Sequence, residues 1–236
     1  LFTFNMCIPA ILLASHKKLS KILKLGLVVV FILSFACILR LGSRTQLVIT
    51  LFTFLVGILY VMPRQTARQN FGLFMLLGLG IFLVFRKVSF DLDSDWLTSF
   101  AGRMENNGAD DVASGGGRTQ RWVKSIENIY LKPLGWDVEE FGYSHNLWLD
   151  VLRAGSVISF FLLIIITFRS FIQTKMAIKK ETKNISFNVL LLSYYLAFML
   201  LFTVEPIIDG SFIIFVIFCV FMGIVSEFNR RTTISV

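Results

Sequence analysis

Apolar residues fill this chain in long unbroken runs, separated by short polar clusters and by one long polar stretch. Seven runs stand out: segment A over residues 1–14, B over 22–41, C over 46–62, D over 70–85, E over 147–168, F over 186–204 and G over 211–226. Most are about 16 to 22 residues long with no period-two alternation, the mark of helices rather than barrel strands. Twenty residues at 1.5 Å per residue cross a hydrocarbon core of about 30 Å. Backbone groups cannot stay unpaired in lipid, so such runs close their hydrogen bonds internally as helices. The pattern predicts an all-α fold: a polytopic membrane helix bundle with about seven transmembrane helices and one long extracytoplasmic loop containing a short amphipathic helix. Three regions follow: helices A–D over 1–85, the loop over 86–146, and helices E–G with a cytoplasmic tail over 147–236.

Composition agrees with the pattern. Hydrophobic residues make up 56% and charged residues 16%, against roughly 45–50% and 25% in ordinary soluble domains. The chain starts at Leu1 inside an apolar run, as expected of the C-terminal part of a longer protein. Its net charge of +8 does not point to nucleic acid, because the cations cluster between apolar runs. Lys17–Lys24, Arg64 with Arg68, the five cations of 169–183, and Arg230 with Arg231 fall on one side if the segments alternate, which makes that side cytoplasmic. The Arg44 turn, the long loop and the Glu205–Gly210 turn then share the outer side. Cys7, Cys37 and Cys219 lie inside apolar runs without metal or redox spacing. No His, Cys or carboxylate cluster has ligand spacing, so no metal and no cofactor are expected.

The candidate chemistry sits on the outer side. Arg40 and Arg44 end segment B; Arg40 can snorkel to headgroups, whereas Arg44 lies in a turn where a planar guanidinium suits a phosphate. In the loop, residues 86–113 are acidic and read as a flap. Gly115, Gly116 and Gly117 lead into Arg118 and a helical pattern carried by Trp122, Ile126, Ile129 and Tyr130, ending near Lys132-Pro133. Arg118, Arg121 and Ser125 share one face. Two readings stand: an anion held at a helix start, or an amphipathic helix on the membrane with its arginines in water. Asn146 is placed to cap segment E. His145 beside it can take a proton from a hydroxyl, or serve only at the interface. Asp150 and Arg153, one turn apart, are expected to pair with each other, and Glu205 and Asp209, which flank Pro206, are each placed to approach His145 if segments E and F pack.

Taken together, Leu41-Gly42-Ser43-Arg44, Gly117-Arg118 with Trp122, Lys132-Pro133-Leu134-Gly135-Trp136 and Ser144-His145-Asn146-Leu147-Trp148-Leu149 resemble the O-antigen ligase and O-antigen polymerase (Wzy-like) superfamily over about residues 40–155. Segment E departs from the family pattern at Arg153, before Gly155, and at Ser159, where a second glycine is common. The resemblance implies a metal-independent glycosyltransferase of the bacterial inner membrane. Such an enzyme moves a glycan from an undecaprenyl (polyprenyl) diphosphate donor to a sugar or lipid A-core acceptor. It implies that Arg44 and Arg118, with Arg121 beside them, grip the diphosphate and that His145 is the base. Arg40, Trp122, Asn146 and Glu205 are supporting candidates. Two rivals remain: a transporter or flippase for lipid-linked or anionic solutes, which calls for discontinuous helices, and a non-enzymatic membrane subunit.

Overall fold

A computed structural model describes residues 5, 8–14, 19–41, 44–72, 74, 75, 78, 118–181 and 183–234. Segment D after its first turns, the 86–113 flap, Ser114–Gly117 and the Arg44 side chain lie outside the described residues. Among those described, all regular structure is helical: α1 (Ile8–Ala14), α2 (Lys21–Arg40), α3 (Arg44–Val61), α4 (Arg118–Leu131), α5 (Leu147–Lys180), α6 (Ile185–Val204), α7 (Ile207–Gly210) and α8 (Phe212–Ile234). Five of these, α2, α3, α5, α6 and α8, are long and apolar enough to cross a membrane. The chain is therefore a membrane protein with five such helices in its described part, against the seven expected; described helix in segment A covers only Ile8–Ala14.

The chain divides into two compact units, Leu1–Asn106 with Glu181–Ala197, and Asn107–Lys180 with Phe198–Val236. In the first, Ala10, Val61 and Val189 form a buried core. Gly57 allows the close approach, since a Cβ there would already touch Ala10 Cβ at 3.4 Å. Asn5 Nδ2 donates to Ser34 Oγ at 2.9 Å. The Ser20 hydroxyl accepts the Leu23 N–H at 3.3 Å, satisfying one of the free donors at the start of α2. Pro63 follows the end of α3, where a ring without an N–H cannot prolong the helix. Arg64 stacks on the Tyr60 ring at 3.7 Å.

The second unit is organised by a break in α5. Ser156 has φ 78° and ψ 170°, outside any helix. Trp148 and Thr167 stand 19 positions apart, about 28 Å along a straight helix, yet Trp148 Nε1 donates to Thr167 Oγ1 at 3.0 Å. The helix therefore doubles back at Ser156. A short arm, residues 147–155, lies against a long arm, residues 157–180, which alone spans about 36 Å. Segment E is thus not the single straight span Leu147–Phe168; helix continues to Lys180 and the first two turns fold against it.

A helix break frees backbone groups that apolar surroundings cannot solvate. The turn after α4 takes them up: Val157 N–H donates to Pro133 O at 2.9 Å and Trp136 N–H donates to Arg153 O at 3.2 Å. Gly135 makes this docking possible, with φ +107° and a position where a Cβ would stand 2.3 Å from Arg153 O. Trp136 then packs with Leu149 and Leu152, and Trp122, Ile129 and Phe160 close over them. Phe198, Phe202, Phe215 and Phe218 build an aromatic cluster between the end of α6 and α8, and Trp148 meets Phe202 edge-on at 6.3 Å. Asn229 of α8 donates to Gln173 O at 2.9 Å, tying α8 to the long arm.

Candidate functional site

The site forms where the start of α4 meets the four residues before α5. Arg118, Arg121 and Ser125 share the α4 face expected from helical spacing; of the apolar pattern, Trp122 and Ile129 pack inward while Ile126 and Tyr130 are exposed. The Trp122 indole N–H donates to Ser144 O at 2.7 Å, the Ser125 and Ser144 hydroxyls pair at 2.8 Å, and Arg121 Nη1 donates to Tyr143 O at 3.3 Å. Ser125 and Ser144 are fully buried. These bonds hold the arginine-bearing turn of α4 against the segment that carries His145.

Asn146 caps α5 as its residue type predicts: Oδ1 accepts the N–H groups of Trp148 at 3.2 Å and Leu149 at 3.3 Å. The expected pairing of Asp150 with Arg153 is not found. Asp150 points back out of the helix; Oδ1 accepts the Ser144 N–H at 2.8 Å and Oδ2 the Asn146 N–H at 3.3 Å. Arg153, nearly buried, pairs instead with Asp209 at 2.8 Å and faces the Tyr143 ring. The physical reason is local. The chain reverses into α5 with free N–H donors next to Asp150, and α7 brings a carboxylate to Arg153 from outside the helix.

His145 sits in the left-handed region with φ +54°, a conformation a non-glycine residue keeps only when its surroundings hold it there. Its imidazole is half-buried, and Nδ1 is buried without a hydrogen-bond partner among the described residues. Burial pushes the imidazole below its ordinary value, and the charges of Arg118 and Arg121 push it further the same way. Glu205, after the last turn of α6, is half-buried. Burial pushes its carboxyl above the ordinary carboxylate range while the Arg118 charge opposes that rise. Arg118 therefore acts electrostatically on both His145 and Glu205. The arrangement presents a neutral imidazole next to two guanidinium groups, with a carboxyl in the same field. Such a set can hold an anion and accept a proton close to it.

Of the residues singled out in the sequence, the structure brings together Arg118, Arg121, Trp122, His145, Asn146 and Glu205. Arg40 is exposed in the last turn of α2. Arg44 opens α3 in the first unit. Three residues with no place in the site on sequence grounds matter here: Asp150, read only as an ion-pair partner, Gly135, read only as part of a motif, and Ser156. A signal for Asp150 existed. An acid shortly after an N-cap can reach back to the cap's own N–H, and Asp150 does so one position later than the usual capping box. What Gly135 and Ser156 do is legible only once the doubled helix is seen. No family model, curated protein or solved structure matches the chain.

Proposed function

We propose that the protein is a membrane glycosyltransferase. It moves a glycan from a polyprenyl diphosphate to a sugar hydroxyl at the outer face of a bacterial inner membrane, as an O-antigen polymerase or ligase does. The observation that carries the reading is the joining of Arg118, Arg121 and His145 through α4 and the 143–146 segment. In the reaction the acceptor hydroxyl attacks the anomeric carbon and the bond from that carbon to the diphosphate oxygen breaks. His145 takes the hydroxyl proton, and the departing diphosphate carries away the bonding electrons. A depressed imidazole suits this task because the free base is present at neutral pH. Arg118 and Arg121 offset the charge that grows on the leaving group, as paired guanidinium forks do well. Trp122, Asn146 and Glu205 hold or tune the site.

A transporter reading draws on a specific observation, the broken helix α5, since discontinuous helices line many solute sites. At this break, however, the freed Val157 N–H and Arg153 carbonyl are bonded to Pro133 O and Trp136 N–H. Those groups are engaged within the protein rather than offered to a solute, so the transferase reading is preferred.

The test is transfer from a lipid-linked donor by the full chain in lipid nanodiscs, alongside the surface glycan of a host carrying the variant. His145→Ala is expected to lower the rate by about 10²–10⁴-fold, the usual contribution of a general base, and Arg118→Ala to lose donor transfer with insertion intact. Single repeats without polymer indicate a polymerase; free polymer with bare core indicates a ligase. Wild-type transfer by His145→Ala removes the base role.

A further inference from the structure

The imidazole of His145 has no carboxylate on Nδ1 among the described residues, although an orienting partner is the common way to aim a catalytic histidine. Its aim has to come from the backbone. That backbone is held from two sides. On the α4 side, Trp122 and Ser125 engage the carbonyl and the hydroxyl of Ser144. On the α5 side, the Asp150 carboxylate accepts the N–H of Ser144 and the N–H of Asn146, the residues immediately before and after His145. Asp150 is 0% exposed. Arg153 does not compete for this carboxylate, because it is engaged by Asp209. Every polar group of Ser144 is thus bonded, and Asp150 bridges the N–H groups of the residues on either side of His145.

We infer that Asp150 is a positioning residue for His145, a buried carboxylate that clamps both flanking amides and so sets the direction of the imidazole. The inference rests on the reading of His145 as the base. Removing the carboxylate leaves two N–H groups without an acceptor and lets His145 leave φ +54° for the ordinary regions, turning the ring away from the acceptor. The arginines on α4 keep their own backbone, so donor binding is spared.

The experiment compares Asp150→Ala, Asp150→Asn, His145→Ala and the Asp150→Ala/His145→Ala double variant of the full chain in nanodiscs. Two readouts are taken: transfer kinetics, and amide hydrogen exchange of residues 143–150. Asp150→Ala is expected to lower kcat with the donor KM little changed and to lose protection at the Ser144 and Asn146 amides. Asp150→Asn, which keeps one acceptor oxygen, is expected to recover part of both. In the double variant the rate is expected to match that of His145→Ala alone, because Asp150 acts through His145. Undiminished protection at both amides in Asp150→Ala overturns the clamp. A double variant much slower than His145→Ala overturns the claim that Asp150 works through the histidine. Exchange reads the clamp without reference to transfer. A fully active His145→Ala removes the base role of His145, and the positioning role with it, even where protection in Asp150→Ala is lost; no transfer by the wild-type chain removes the transferase reading.

Discussion

Replacing Gly135 with alanine tests the geometry on which the whole second unit depends. A Cβ at this position would stand 2.3 Å from the Arg153 carbonyl oxygen, whereas the closest comfortable carbon–oxygen approach is about 3.3 Å. The turn has to retreat by roughly 1 Å or distort. The backbone adds a second obstacle, since φ is +107° and a side chain held in such a region costs on the order of 1–3 kcal/mol. Retreat breaks the Trp136–Arg153 bond of 3.2 Å and loosens the Val157–Pro133 bond of 2.9 Å, each worth about 0.5–1.5 kcal/mol net. The variant takes whichever route costs less, so the loss is about 2–3 kcal/mol. At 1.4 kcal/mol per factor of ten, hydrogen exchange at the Trp136 and Val157 amides should quicken by about 30- to 140-fold. Leu134→Ala is the control: it lies in the same turn but its side chain is 87% exposed, and exchange should stay near wild type. Equal protection at Val157 in wild type and Gly135→Ala would refute the claim that this turn satisfies the broken helix.

Two further outcomes follow from the same geometry. Arg121→Gln removes a positive charge that holds the His145 imidazole down. Protonation becomes easier, the imidazole value rises, and the acidic limb of kcat/KM against pH should move to higher pH; a limb that moves lower contradicts the electrostatic account. Ser156→Gly places the one residue type at ease with φ 78° and ψ 170° at the break; it should relieve about 1–2 kcal/mol of strain, partly offset by about 0.5–1 kcal/mol of added chain entropy in the unfolded state. A small rise in the apparent thermal midpoint in detergent is the expected result, and a fall of several degrees would mean that the Ser156 side chain has a role beyond its backbone.

The two halves of the long polar stretch differed in how much they disclosed. The helix at Arg118–Leu131 and its stop before Pro133 could be read from spacing alone, because a one-sided pattern and a helix breaker are local properties. The N-cap at Asn146 was legible for the same reason. The partner of Arg153 was not. An i,i+3 neighbour looks sufficient along one helix, but the pairing seen depends on α7 arriving with Asp209 from 56 positions away. The break at Ser156 left a local trace, the Gly155-Ser156 pair, where helices can kink, but the doubling back depends on contacts that spacing does not show.

By itself, then, the sequence determined the helical and membrane character of the chain, the position of its capping and stop signals, and which residue types could grip an anion or take a proton. These follow from hydropathy, local hydrogen-bond demand and side-chain chemistry, none of which needs a neighbour distant in the chain. Tertiary structure decided which of those groups share a field and how His145 is held. It doubled α5 back on itself, turned Asp150 from an ion-pair partner into a clamp on two amides, and set Arg118 between an imidazole and a carboxyl. The reason is that burial and charge act through space. The cost of an unsatisfied N–H or an uncompensated guanidinium is set by whatever the fold brings beside it.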